Sequence, residues 1–212
     1  LSTLYLHENK ELIGGSEIYI SQLLPSLDEK GVIVDKLIIK NLGDIYFNEL
    51  KYSGSFNSII KEFNFNYDLI HIHGISNIEV IKYFINNFPI IRSVHEPRII
   101  CPGYGKFLLR SKKTCTKKFG LHCLYKAYSE KCQLSRLPWN VLGSLNRVNF
   151  EVNTASKKYK KIIVCELNKG QFVQILRSQY DNIDFIQYNK VMGLPFSVTD
   201  LMAKFKNILK ED

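Results

Sequence analysis

The sequence predicts an α/β protein, and three observations lead to that class. Short apolar runs of strand length alternate with segments of helical periodicity along most of the chain. Several of these runs end in loops that contain glycine or histidine. Residues 97–138 break the alternation and hold four of the five cysteines. We therefore expect a Rossmann-like, mostly parallel sheet with helices on both faces, plus an irregular, basic, Cys-rich insert.

The individual elements follow from local patterns along the chain. Strand patterns, which are short and rich in β-branched or aromatic residues, lie at residues 3–6, 32–39, 68–73, 89–95, 161–165 and 182–186. Helical patterns, with apolar residues three or four positions apart, lie at residues 16–29, 56–63, 77–87, 139–158, 168–178 and 196–209. Gly31 is placed to end the first helix in a left-handed conformation. Cys165 falls within a strand pattern and is expected to be a buried core residue.

The length of 212 residues fits one large domain with a small appendage. We expect residues 1–190 to form that domain, with the insert at 97–138, and residues 195–212 to form a helix that packs back on it. No segment approaches the roughly 18 uncharged apolar residues of a membrane-spanning helix. The first residues lack the basic segment and apolar run of a signal peptide. These patterns predict a cytoplasmic protein.

Positive charge is concentrated in the insert. The formal net charge is +9, and nine of the 29 Lys and Arg residues lie between Arg98 and Lys131, where Glu130 is the single acid. Such a patch favours an anionic partner, which could be phosphate groups, nucleic acid or an anionic membrane surface. The residues assigned to this basic patch are Lys112, Lys113, Lys117 and Lys118.

Aromatic and apolar residues are interleaved with these lysines. They are Tyr104, Phe107, Leu108, Leu109, Phe119, Tyr125 and Tyr128. One interpretation is that they enter a membrane interface beside the lysines, which would make the protein peripheral to the inner face of the membrane. The other interpretation is that they form a small core of the insert itself.

Two of the loops that follow predicted strands suggest ligand binding. Gly14, Gly15 and Ser16 lead directly into the first helix, where glycine allows close approach of a phosphate and the helix N-terminus attracts anions. Ser16 could instead be a helix N-cap. His95 and Glu96 follow the fourth strand, where a histidine beside an acid can carry a proton or bind a sugar. The alternative for His95 is a hydrogen-bonded histidine at the sheet edge.

His71 and His73 are two residues apart on a predicted strand, so their side chains should share one face of the sheet. A histidine pair with this spacing can bind a metal, but no carboxylate follows at ligand spacing. Local packing or hydrogen bonding is the more common use.

Four cysteines form the other candidate metal site. Cys101, Cys115, Cys123 and Cys132 are separated by 13, 7 and 8 residues, which are not the short spacings of zinc ribbons. In a reducing cytosol such a cluster favours structural zinc over disulfides, and free thiols are the third alternative. His122 could replace one cysteine. The basic surroundings are expected to lower the thiol pKa values and favour thiolate ligands.

Four segments together resemble the retaining GT-B glycosyltransferases of family 4. They are GGSEIYISQLLPSLDEKGVIVD at 14–35, YDLIHIHG at 67–74, PIIRSVHE at 89–96 and KKIIVCELNKGQFVQIL at 160–176. The insert, which opens with Cys101-Pro102, resembles a branch of that family with several cysteines after the third segment. Two positions depart from the family pattern, since Glu96 stands where Asp is common and Cys165 precedes Glu166 where Ser is usual.

The resemblance implies roles for individual residues. Gly14, Gly15 and Ser16 would approach the donor diphosphate. His95 would lie near the transferred sugar and Glu96 near the acceptor, as the catalytic pair. The cleft would be lined by His73 and Arg98. The family transfers a sugar from a nucleotide sugar with retention of configuration and needs no catalytic metal.

Nothing in the sequence resembles the nucleotide-sugar-binding C-terminal domain of these enzymes, so that domain is expected to be absent. The resemblance then implies an N-terminal, acceptor-binding domain that is inactive alone, with a polysaccharide or lipid-linked glycan as acceptor. One alternative is a zinc-containing basic nucleic-acid-binding module, although no nucleic-acid-binding motif appears and such a partner is not expected. The other alternative is a non-catalytic sugar- or partner-binding relic of a transferase.

Overall fold

A mixed six-stranded sheet forms the centre of the fold. The computed structural model describes residues 2–7, 15–41, 44–63, 65–94, 99–103, 105–133, 135–180, 183–194 and 196–210. The strands of the main sheet are β1 (Ser2–His7), β2 (Ile33–Asn41), β3 (Asp44–Phe47), β4 (Leu50–Ser53), β5 (Leu69–His73) and β6 (Ile90–Ser93), in the spatial order β4-β3-β2-β1-β5-β6. The strands β2, β1, β5 and β6 are parallel, whereas β3 and β4 are antiparallel to their neighbours.

Helices and two smaller sheets complete the described structure. The helices are α1 (Gly15–Asp28), α2 (Phe56–Glu62), α3 (Ile78–Asn87), α4 (His122–Ser129), α5 (Pro138–Asn153), α6 (Gln171–Gln179) and α7 (Val198–Lys210), with a 3-10 turn at Ala155–Lys158. The smaller sheets are an antiparallel pair, β7 (Phe107–Leu108) with β8 (Lys113–Thr114), and a parallel pair, β9 (Ile162–Glu166) with β10 (Phe185–Asn189). No helix in the described part of the chain combines the length and apolar character needed to cross a bilayer.

The main core lies on one face of the six-stranded sheet. Alternate strand residues point to this face, as the pleat requires, and pack against α2, α3 and the segment after α5. The core includes Leu4, Leu6, Leu37, Ile70, Ile72, Phe56, Ile59, Val80, Ile81, Phe84, Phe150 and Ala155. Asn77 caps α3, because its side-chain oxygen accepts the backbone N–H of Val80 at 3.1 Å.

Helix α1 lies on the opposite face. Leu24 and Pro25 of α1 line a depression together with Val34 and Lys36 of β2, which alternate with the core-facing Leu37. Helices therefore cover both faces of the sheet, as the alternation predicted. After α1, Gly31 adopts a positive φ of 71°, which agrees with its predicted place at the helix end.

The sheet is mixed, because a hairpin at β3–β4, which was not predicted, adds two antiparallel strands to the four parallel ones. Its turn residues, Asn48 and Glu49, have positive φ values of 43° and 74°, which suits a two-residue hairpin turn. The Asn48 amide donates to the Asp35 carboxylate at 2.6 Å, and its oxygen accepts the Lys36 N–H at 2.8 Å. Asn-Glu lacks the glycine that usually signals such turns, and this explains the omission.

The later strands also differ from the prediction. β9 and β10 pair with each other in a separate sheet, and β10 begins at Phe185, three residues after the predicted start. They pack with α6 on a second core formed by Ile100, Val164, Val173, Leu176, Tyr180 and Phe185. Cys165, predicted to be buried, is exposed because its neighbour Val164 faces this core. The buried Glu166 accepts the N–H groups of Phe172 and Val173 and so caps α6.

Helix α7 contacts the β9–β10 pair. Lys190 and Asp200 form an ion pair at 2.8 Å, and the rings of Tyr188 and Phe196 lie 5.0 Å apart. Ile208, 3% exposed, is the buried residue of the helix. The domain boundaries predicted at 190 and 195 stay predictions.

Candidate functional site

The strand order of the main sheet reverses direction at β1. β1 pairs in parallel with β2 on one side and with β5 on the other. The chain therefore adds strands first in one direction and then in the other, and β1 and β5 flank the point of reversal. In open parallel sheets, ligands bind outside the carboxyl ends of the strands at this point.

Histidines occupy the carboxyl ends of both strands. His7 is the last residue of β1 and His73 the last residue of β5, and their ring centroids are 5.8 Å apart. His73 is fully buried and His7 is 7% exposed. The two rings are therefore packed against each other on the face of the sheet opposite the main core.

Tyr5 and His71 extend this group along the same face. The ring of Tyr5 lies 4.5 Å from that of His71 and 6.1 Å from that of His73. His71 and His73 are 5.9 Å apart, which confirms that they share one face. We call Tyr5, His7, His71 and His73 the histidine cluster.

The cluster is joined to β6 by a hydrogen bond. Nε2 of His71 and Oγ of Ser93 are 2.8 Å apart, so three adjacent parallel strands contribute polar groups to this edge. Gly74 follows β5 with a φ of 66°, which glycine adopts without strain. Imidazole and phenol groups donate and accept hydrogen bonds, and imidazole also transfers protons near neutral pH. The cluster therefore gathers groups that can donate and accept hydrogen bonds at the carboxyl ends of the strands.

Several predicted site residues lie outside the described residues. These are Gly14, His95, Glu96 and Arg98. Gly15 is the first residue of α1 as the structure defines it, and Ser16 lies inside the helix. The N-cap alternative for Ser16 stays a prediction, because the residues that precede the helix lie outside the described part of the chain.

Two members of the histidine cluster were missed in the sequence. Tyr5 and His7 have the same two-residue spacing as His71 and His73, and His7 stands at the exit of the first apolar run. Alternation along β1 was the available signal, but the predicted strand ended at residue 6.

Lys106 brings two of the four cysteines close together. Its backbone N–H donates to the Cys101 Sγ at 3.3 Å, and its carbonyl accepts the N–H of Cys115 at 2.6 Å. On α4, Nζ of Lys126 approaches the Cys115 Sγ at 3.8 Å, one helical turn after Cys123. The segment is thus not wholly irregular, since β7, β8 and α4 give it local structure.

Cys132 lies against the turn that follows Cys101. A Cβ added to Gly103 would be 1.7 Å from the Cys132 carbonyl oxygen, so the two backbone segments are in direct contact. All five cysteines are free thiols in this structure. Within the described ranges, no three His, Cys, Asp or Glu side chains are arranged to hold a metal ion.

The thiol pKa values differ from the expectation. Burial raises the pKa of Cys123, and it raises that of Cys132 to about 11, with the other clustered thiols adding to both increases. Lys106 lowers the pKa of Cys123 by a smaller amount. Loss of hydration therefore outweighs the effect of Lys106 on Cys123.

The four lysines assigned to the basic patch, Lys112, Lys113, Lys117 and Lys118, are all exposed. The interleaved apolar residues include a buried one, as a small core of the insert requires, and exposed ones, as contact with a membrane requires. Leu108 is buried, whereas Phe107, Leu109, Tyr125 and Tyr128 are exposed. Leu121, which follows the lysines at the start of α4, is 94% exposed.

No protein-family model, curated protein or solved structure matches this chain.

Proposed function

We propose that the chain is the acceptor-side, Rossmann-like domain of a family 4 retaining glycosyltransferase. In this proposal the donor substrate of the enzyme is a nucleotide sugar. The acceptor that receives the sugar is a polysaccharide or a lipid-linked glycan. The observation that carries the proposal is the histidine cluster at the point of strand reversal between β1 and β5.

The chemistry of this edge supports a sugar phosphate as ligand. His7 and His73 stand at the ends of β1 and β5, and imidazole nitrogens can donate and accept hydrogen bonds with hydroxyl groups. Helix α1 begins after β1, and a helix N-terminus favours phosphate. His95 and Glu96 follow β6 in the sequence and are the proposed catalytic residues.

Nuclear magnetic resonance of the five histidine rings tests the proposal. The isolated chain is titrated with UDP-glucose, GDP-mannose and a short polyprenyl diphosphate carrying N-acetylglucosamine. We expect the signals of His7 and His73 to shift, while that of His122, in the insert, serves as an internal control. Shifts confined to His122, or no shift with any ligand, would contradict the proposal.

The proposal assigns substrate binding and not complete sugar transfer to these residues. Because the resemblance concerns the acceptor side, the isolated chain is expected to bind without turnover. Steady transfer of sugar by the isolated chain would contradict the expectation that it binds substrate without turnover.

We further propose that the acceptor is approached at an anionic membrane. Lys117 and Lys118 are exposed and lead into α4, where Leu121 and Tyr125 are 94% and 74% exposed. Cationic groups beside exposed apolar side chains favour the interface of a bilayer that contains anionic lipid. The proposed location is the inner face of the membrane.

Liposome flotation with and without phosphatidylglycerol tests this surface. The double substitution Lys117→Glu and Lys118→Glu is expected to weaken binding by at least roughly 30-fold, because each lost basic residue costs about 1 kcal/mol and the new carboxylates add repulsion. Lys157 and Lys158 are also adjacent and exposed, so the same reversal there is the matched control. Equal loss of liposome binding in both variants would reject a specific surface.

Steeply salt-dependent binding to RNA or DNA, without liposome binding, would favour the nucleic-acid alternative.

A further inference from the structure

We infer that Cys101, Cys115, Cys123 and Cys132 bind one structural zinc ion, and that Lys106 and Lys126 balance its charge. This inference does not depend on the proposed function. It rests on the convergence of the cysteine-bearing segments and on the position of a buried lysine.

The convergence follows from backbone contacts. Lys106 is hydrogen-bonded to both the Cys101 Sγ and the Cys115 backbone, which links the first two cysteines through one residue. The turn at Gly103 touches the Cys132 carbonyl, so the last cysteine lies beside the first. Cys123 lies on α4 one turn before Lys126, whose Nζ is 3.8 Å from the Cys115 Sγ. The thiols of Cys101 and Cys115 are near enough to Cys123 to raise its pKa.

Lys106 supplies an independent argument. Its side chain is buried, with 8% of the residue exposed, and its ammonium donates to the Lys117 carbonyl. None of the ion pairs formed among the described residues includes Lys106. A buried cation is costly unless an anion lies nearby. The Cys101 Sγ lies 3.3 Å from the Lys106 backbone nitrogen, and thiols become anionic when they bind a metal.

The charges of the complete site then balance. Zinc held by four thiolates has a net charge of about −2. Lys106 and Lys126 would supply two compensating positive charges. The Lys106 N–H bond to the Cys101 Sγ is the kind of outer hydrogen bond that orients a metal ligand. Each thiol loses its proton on binding, and the four protons pass to solvent.

The local structure gives the metal a physical role. Among its described residues, the segment contains two two-residue strands and one eight-residue helix, and its buried hydrophobic residues are Ile100, Leu108, Ala127 and Cys132. Ile100 belongs to the second core, which leaves three for the rest of the segment. So few buried side chains provide little hydrophobic stabilisation. A zinc ion would contribute directly to folding here. Binding requires rotation of the cysteine side chains until each sulfur is about 2.3 Å from the metal.

Metal analysis of protein purified without chelator tests the inference. We expect one zinc ion per chain in the wild type and close to none in Cys132→Ser. Cys165 is exposed and lies in β9, outside the cluster, so Cys165→Ser is the matched control and should keep its zinc. Equal zinc content in all three proteins would overturn the inference.

Cobalt substitution of the wild type provides a readout that does not depend on a variant's folding. Four thiolate ligands should give strong charge-transfer absorption in the near ultraviolet and the visible bands of a tetrahedral site. A folded protein without bound metal, whose four clustered thiols are free or paired as disulfides by intact mass, would disprove the site. None of these outcomes bears on the sugar-binding proposal, which is measured at His7 and His73.

Discussion

Arg92 in β6 and Glu151 in α5 form a two-point ion pair, with Nη–Oε distances of 2.7 and 2.6 Å. Both side chains are buried, at 8% and 5% exposure. Arg92 also donates to the Ile75 carbonyl and to the Tyr159 hydroxyl, each within 3.4 Å. Arg92 precedes the insert at 97–138 in the sequence and Glu151 follows it, so the ion pair connects the two segments that flank the insert. The main sheet and α5 are therefore held together by contacts outside the insert.

Loss of one partner should be severe. Glu151→Ala leaves the Arg92 guanidinium buried without its carboxylate, and we expect unfolding free energy to fall by about 3–5 kcal/mol. The measurement is urea unfolding followed by circular dichroism. The double variant Arg92→Met with Glu151→Leu removes both charges and should be more stable than Glu151→Ala. A single variant that unfolds like the wild type would show that the pair contributes little.

Gly103→Ala should disrupt the insert selectively. The added Cβ would meet the Cys132 carbonyl oxygen at 1.7 Å, so one backbone segment must move. We expect a loss of about 1–3 kcal/mol, as for other overpacked sites, and faster reaction of Cys132 with a thiol reagent. The measurements are thermal unfolding and the rate of thiol modification.

Gly143 offers the matched control for this substitution. It lies within α5, and a Cβ there meets nothing within 4 Å. Gly143→Ala should therefore stabilise the protein by about 0.5–1 kcal/mol and leave thiol reactivity unchanged. If both alanine variants behaved alike, the contact between Gly103 and Cys132 would be refuted.

Much of the fold could be predicted because local patterns agreed with tertiary packing. α3 is an example, since its predicted start at Asn77 is a side-chain cap and its apolar Ile81 and Phe84 are fully buried. The β3–β4 hairpin could not be predicted from its turn residues, because the Asn48–Glu49 turn depends on contacts with Asp35 and Lys36 in the neighbouring strand. Such contacts are set by tertiary structure and leave no local pattern.

The candidate site was predictable only in part for the same reason. The spacing of His71 and His73 fixed their common face, but it did not indicate that His7 would approach His73 from another strand. That approach depends on the pairing of β1 with β5, which are more than 60 residues apart in sequence. The burial of Lys106 could not be predicted either. Lysines are mostly exposed, so a lysine in a Lys-rich segment is expected to be on the surface.

Acid should weaken the attachment of α7. The Asp200 carboxylate accepts hydrogen bonds from Lys190 at 2.8 Å and from the Ser197 N–H at 3.3 Å, and these lower its pKa. Because the folded pKa lies below the unfolded value of about 3.9, the stabilisation is present above that value. It is lost as the pH falls through the folded pKa.

Unfolding measured over a series of acidic pH values tests this effect. Asp200→Asn should remove part of the acid dependence below about pH 4. Lys190→Met should do the same, because it removes the main hydrogen-bond donor that lowers the Asp200 pKa. An Asp200 carboxyl resonance that titrates at the ordinary value in the wild type would contradict the prediction.

His73 allows the role of the cluster in binding to be separated from its role in packing. The side chain is fully buried between the rings of His7 and Tyr5. His73→Phe keeps an aromatic ring but removes both nitrogens and their hydrogen bonding, and we expect it to cost about 1–3 kcal/mol of stability. His73→Ala leaves a cavity and should cost about 2–5 kcal/mol.

If the nitrogens bind the sugar ligand, His73→Phe should weaken binding at least tenfold, measured by calorimetry, although the protein stays folded. Unchanged affinity in this variant would restrict His73 to a packing role and leave His7 as the ligand-binding residue of the pair.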